Sequence, residues 1–105
     1  MIHYNKLIRD KIPAMMDTRG VEYSVRELPD EEYETKLNEK LHEELREYME
    51  APHEEKLEEL ADLVEVIHAL VLNSGNTLEH FEQLRKQKLV ERGGFEQKLL
   101  LVYTE

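Results

Sequence analysis

The sequence predicts a mainly α-helical protein: a small helical bundle with one two-stranded β element, the bundle completed by oligomerisation. Three observations lead there. Apolar residues in the acidic middle of the chain recur at intervals of three and four, the period of a helix face. Prolines and glycines fall where helices begin and end. One helical segment is apolar nearly all round, and a chain of 105 residues has few elements with which to cover it.

The elements follow in order. In KIPAMMDTRG, Pro13 suits the first turn of a short helix and Gly20 the position just past its end. Val21, Tyr23 and Val25 then alternate with Glu22, Ser24 and Arg26, which predicts a half-buried strand. Asp30 is placed to cap the next helix, because its carboxylate can accept from free backbone amides. That helix carries Tyr33, Leu37, Leu41, Leu45 and Tyr48 on one face and ends at Ala51 and Pro52, where proline forbids the helical turn. A further helix is predicted from His53 to Ser74, with Gly75 at its left-handed end, so the pair makes an antiparallel hairpin. Thr77 caps a third long helix that stops at Gly93 and Gly94. The tail from Phe95 to Glu105 reads as a second strand, paired with the first.

With 24 acidic and 14 basic side chains, the net charge is −10. Fifteen of the acids lie between Asp30 and Glu65, against Lys36, Lys40, Arg46 and Lys56, so two mildly basic flanks enclose an acidic middle. A single domain over residues 1–105 is expected at this length. The absence of cysteine excludes a disulfide framework, a zinc ribbon and a thiol nucleophile. The shortage of Lys and Arg argues against a nucleic-acid surface. The start carries no apolar stretch suited to a signal peptide, and acids interrupt the longest later one. A soluble, cytoplasmic protein without membrane association is therefore expected.

The segment LADLVEVIHALVL, apolar at ten of thirteen positions, places Leu60, Val64, Ile67 and Val71 on one side and Leu63, Val66 and Leu70 on another. Asp62 and Glu65 sit within it and continue a face begun by Glu58 and Glu59. Burying an ionised carboxylate without a partner is costly, and no Lys or Arg occurs from Leu57 to Leu84. The partner must then be a distant segment, another subunit or a metal ion. On the preceding helix Glu43, Glu44 and Glu47 fall within one turn. Antiparallel packing points Glu44 and Glu47 at Glu59 and Asp62, an oxygen cage suited to Mg²⁺ or Mn²⁺ rather than zinc. The competing reading of Glu43 to Glu50 is a solvated helix face, which Glu54, Glu55 and Glu58 fit well. The five histidines, at positions 3, 42, 53, 68 and 80, share no ligand spacing, and His68 is expected as a polar contact at the subunit interface.

These motifs resemble the all-α nucleoside triphosphate pyrophosphohydrolases, a superfamily that includes MazG, the dimeric dUTPases and phosphoribosyl-ATP pyrophosphohydrolase. Their hallmark, EExxE followed by ExxD, reads here Glu43, Glu44, Glu47, then Glu59 and Asp62. The chain looks most like a small MazG-like group described as house-cleaning pyrophosphatases. The similarity runs through YNKLIRDKIP at Tyr4–Pro13, KLHEELRE at Lys40–Glu47, EELADLVEV at Glu58–Val66 and KLVERGGF at Lys88–Phe95.

The resemblance implies a MazG-like bundle, dimeric or of higher order, that uses Mg²⁺ or Mn²⁺ to hydrolyse unusual or damaged nucleoside triphosphates to monophosphate and pyrophosphate. It assigns Glu44, Glu47, Glu59 and Asp62 as metal ligands. Glu43 and Glu44 become catalytic acids, Glu43 positioning a metal or the attacking water. Lys6, Arg9, Lys11, Lys40, Lys88 and Arg92 are implied as substrate-binding, with Asp10 orienting Arg9. Lys88 and Arg92 also suit simple compensation of a helix dipole. Eleven residues separate Glu47 from Glu59, a short connection for MazG itself, so base recognition stays open. Two other functions fit the acids: phosphoribosyl-ATP pyrophosphohydrolase, whose family does not share YNKLIRDKIP, and a nonenzymatic helical nucleotide-binding or dimerisation module.

Overall fold

Proline and glycine set most of the helix boundaries in the computed structural model, which describes all 105 residues. Four α-helices form: α1 (Ile12–Thr18), α2 (Asp30–Glu50), α3 (Lys56–Asn73) and α4 (Leu78–Arg92), with a 3-10 turn at His53–Glu55 leading into α3. Pro13 lies in the first turn of α1, where a missing amide hydrogen costs no intrahelical bond. Asp30 is the first residue of α2 rather than its cap. Pro29 holds the cap position in extended backbone, and Asp30, Glu31 and Glu32 act instead by placing negative charge on the first turn.

The break between α2 and α3 is pinned from both sides. Ala51 is extended, with ψ 146°, as the residue before a proline prefers. Lys56 Nζ donates to Tyr48 O at 2.6 Å and lies 4.6 Å from the Tyr48 ring centroid, so it satisfies one of the carbonyls left free at the end of α2. Gly75, at φ 86°, turns the chain out of α3 in the left-handed region, and Asn76 N–H donates back to Val71 O. Thr77 Oγ1 accepts from His80 N at 3.0 Å and caps α4.

Packing centres on the α2–α3 hairpin. Leu37 and Val66 are the only buried apolar residues, and Leu41, Leu63, Ile67 and Leu70 are half-buried around them. Along α2 the covered positions run Leu37, Leu41, Glu44, Tyr48. Glu44 thus takes the inward place that the sequence pattern assigns to Leu45, which is 47% exposed. At the far end of α3, His68 packs edge-to-face on Phe81 of α4 with ring centroids 6.5 Å apart. His68, expected at a subunit interface, therefore makes its aromatic contact within the chain.

The predicted β element is absent. Neither Val21–Glu27 nor Phe95–Glu105 forms a strand, and no strand occurs anywhere in the chain. An isolated pair of short strands is marginal unless one face is covered, and nothing covers these: Val21, Val25 and Leu100 are exposed. The helices are open as well. Leu57, Leu60, Val64 and Leu72 of α3 are exposed, so the helix that is apolar nearly all round is covered on one side only. The radius of gyration is 18.0 Å, whereas a compact chain of this length has about 13 Å. No helix is long and apolar enough to cross a membrane.

Candidate metal site

The hairpin brings acids of both long helices to one place. Carboxylate oxygens of Glu43, Glu44 and Glu47 lie within 4.8 Å of one another, and so do those of Glu44, Glu59 and Asp62. Glu44 belongs to both groups and joins them. It does so because it sits in the packed seam of α2, where its side chain is only 8% exposed. The four residues expected as metal ligands are therefore brought together with Glu43. Glu65, one turn beyond Asp62, is exposed and stands outside both groups.

Three cations meet these acids. Lys40, one turn before Glu44 on the same helix, lies 3.3 Å from Glu43 and 3.4 Å from Glu44. Lys6 reaches Glu43 at 2.8 Å, and Arg9 reaches Asp62 at 2.7 Å. The segment before α1 is thus the distant partner that the base-free stretch Leu57–Leu84 requires. It is laid on the hairpin by Lys36, whose Nζ donates to Asn5 O at 3.2 Å. Asn5 itself is left-handed at φ 48°, a conformation asparagine tolerates better than most residues.

Sequence reasoning found Lys6 and Arg9 as basic residues but missed their acidic partners and the tether at Lys36. The available signal was the basic start of the chain set against an α3 with no Lys or Arg after Lys56. Asp10 does not orient Arg9: it makes no side-chain hydrogen bond, and Asp62 takes that role. Lys11, Lys88 and Arg92 are exposed and form no ion pair, so the chain by itself does not bring them to the acids.

The acids divide electrostatically. Burial is the largest single influence on Glu43 and pushes its carboxyl up, but Lys6 and Lys40 together outweigh it and hold the group below the ordinary range. The same contact, a hydrogen bond to Glu43, raises the Lys6 ammonium. Burial first and the Glu47 carboxylate second push Glu44 above the ordinary range. Glu59 is raised by burial and then by Glu47 and Asp62. In keeping with this, Oε2 of Glu44 and Oε2 of Glu59 are closed to solvent and have no hydrogen-bond partner.

Native proteins seldom leave buried polar atoms orphaned, because each forfeits its hydration without compensation. Five carboxylates face three cations here, and the two negative charges left over match one divalent cation. A set made only of carboxylate oxygens suits a hard ion of the Mg²⁺ or Mn²⁺ kind. Away from the acids, a cleft of about 250 Å³ between the end of α3 and α4 is lined by Val71, Ser74, Asn76, His80, Phe81 and Leu84, with no carboxylate among them. Compared with known proteins, the chain matches no family model, no curated protein and no solved structure.

Proposed function

We propose that the protein is a Mg²⁺-dependent nucleoside triphosphate pyrophosphohydrolase that cuts unusual or damaged nucleotides into monophosphate and pyrophosphate. The observation that carries this reading is the buried, unpartnered Oε2 of Glu44 at the junction of two acid groups. In this reading Glu44, Glu59 and Asp62, with Glu47 beside them, hold the ion. When bound, the metal lowers the pKa of a coordinated water and offsets phosphate charge.

The chain supplies the rest. Glu43, held ionised between Lys6 and Lys40, is an acceptor for a proton at the edge of the cluster. Lys40 carries positive charge directly beside the acids, where oxygens of a triphosphate would otherwise meet only carboxylates. Lys6 and Arg9 add two further cations from the N-terminal segment.

The reading includes a second copy of the chain. The accessible surface is 9748 Å², against about 6,200 Å² for a compact monomer of this mass. The excess, about 3,500 Å² per chain, is larger than the roughly 1,000–2,500 Å² that each partner gives to an obligate interface, so a second copy would cover part of it. Exposed Leu57, Leu60 and Val64 on α3 and Leu99–Val102 in the tail supply its apolar part.

The test is to incubate the purified protein with Mg²⁺ and a panel of ordinary and modified nucleoside triphosphates, including phosphoribosyl-ATP, and to measure pyrophosphate. Release from at least one triphosphate is expected. Metal and nucleotide binding without product would instead identify a nonenzymatic nucleotide-binding module.

A further inference from the structure

We propose that the N-terminal arm, residues 1–11, is an internal counter-ion that a divalent cation must displace: Arg9 holds Asp62 in the metal-free protein and lets go when metal takes that carboxylate. The inference rests on the metal-site reading above and adds a competition at the site. Asp62 is claimed twice, since it belongs to the acid group with Glu44 and Glu59 and also receives Arg9 Nη2 at 2.7 Å. A guanidinium cannot shed its proton at any accessible pH. A dication within a few ångströms would repel it strongly, so the two do not share the carboxylate.

The arm is built to release at one end only. The Arg9–Asp62 pair is open to water, with side chains 56% and 44% exposed, which makes it weak. Little apolar contact reinforces it, because Ile2 and Tyr4 are exposed, Leu7 alone in the arm is half-buried, and no helix begins before Ile12. Three and four residues earlier the arm is held more firmly. Lys36 grips Asn5 O, and Lys6 pairs with Glu43, whose side chain is mostly buried. Glu43 is not among the acids grouped with Glu59 and Asp62, so a cation there leaves Lys6 in place. The arm therefore pivots between Lys6 and α1, and the freed guanidinium stays beside the cluster. Arg9 thus opposes a bare cation and favours one that arrives with an anion, whose oxygens its fork of donors suits.

The test is a titration of the full-length protein with Mn²⁺, free ion being read by electron paramagnetic resonance, without nucleotide. Arg9→Gln is expected to bind Mn²⁺ about three- to tenfold more tightly than the parent, the range set by the loss of one exposed, screened cation. Lys98→Gln removes the same charge from the tail, where Lys98 forms no ion pair, and is expected to leave the affinity unchanged. Glu44→Gln is expected to abolish binding. If Arg9→Gln binds no more tightly than the parent or than Lys98→Gln while Glu44→Gln still abolishes binding, the competition is overturned and the metal site stands. If the parent binds no Mn²⁺, or binds it regardless of Glu44, the metal-site reading fails and the competition falls with it.

Discussion

The two ends of the chain outside the helices contrast sharply. Residues 1–11 are tied to the hairpin by Lys6 on Glu43, Arg9 on Asp62 and Asn5 O on Lys36. Residues 95–105 hold a continuous apolar run, Leu99 to Tyr103, that is at least 74% exposed at every position and forms no ion pair. An ion pair needs one partner atom at the right distance, and a two-helix hairpin can offer that. Hydrophobic stabilisation scales with the area covered, and the same hairpin has little area to give. The acids thus find their ion-pair partners within one chain, whereas the apolar tail and the outer side of α3 stay uncovered.

That contrast can be broken first at the acids. Glu59→Gln or Asp62→Asn is expected to lower pyrophosphate release at least ~100-fold, since each removes several kcal/mol of metal-derived stabilisation. Far-UV circular dichroism should be unchanged, and an unaltered rate would remove these residues from the site. Next in size, Mg²⁺ at a hundred times its dissociation constant is expected to raise the unfolding free energy by about 2.7 kcal/mol. The rise should appear as a higher Tm in the parent and vanish in Glu44→Gln. Glu59→Gln, Asp62→Asn and Glu44→Gln should leave the assembly state untouched.

The apolar end gives the converse pair of readings. Leu100→Asp is expected to cost about 2 kcal/mol of association and to shift the mass seen by sedimentation equilibrium toward the monomer, with Mn²⁺ affinity preserved. A mass that does not move would detach the tail from the interface.

The smallest expected effect is on pH dependence in the absence of metal. Glu44 and Glu59 have folded-state pKa values raised above their unfolded ones, so they destabilise the fold at pH above those raised values. This cost is recovered as pH falls from there to the ordinary carboxylate range. Glu43 is lowered, so its contribution is present above the ordinary range and is lost as pH falls through its folded-state value. Urea denaturation in EDTA is expected to show stability rising on mild acidification and then declining, and Glu44→Gln should flatten the rise. A steady decline from neutral pH would mean that Glu44 and Glu59 are already paired.

Much of the local structure was legible because its causes are local. Ala51-Pro52 ends α2, Gly75 and Gly93 adopt the positive φ that their positions after helices demand, and Thr77 caps α4 with its own hydroxyl. The hairpin and the convergence of Glu44 with Glu59 and Asp62 also followed from helix lengths and the short break. The β element did not, because alternation marks a segment able to lie half-buried but supplies no surface to bury it. Nor did the facing of α2: helical spacing admits both Leu45 and Glu44 after Leu41, and only the fit against α3 turns Glu44 inward.

By itself, then, the sequence determined where the helices start and stop and which acids lie one turn apart, since dihedral preference and helical period act over a few residues. Only the tertiary structure decided that Arg9 meets Asp62, 53 positions away, and that one oxygen each of Glu44 and Glu59 is buried without a partner. Pairing and desolvation depend on which surfaces approach each other through space, and residue spacing along a chain does not encode that distance.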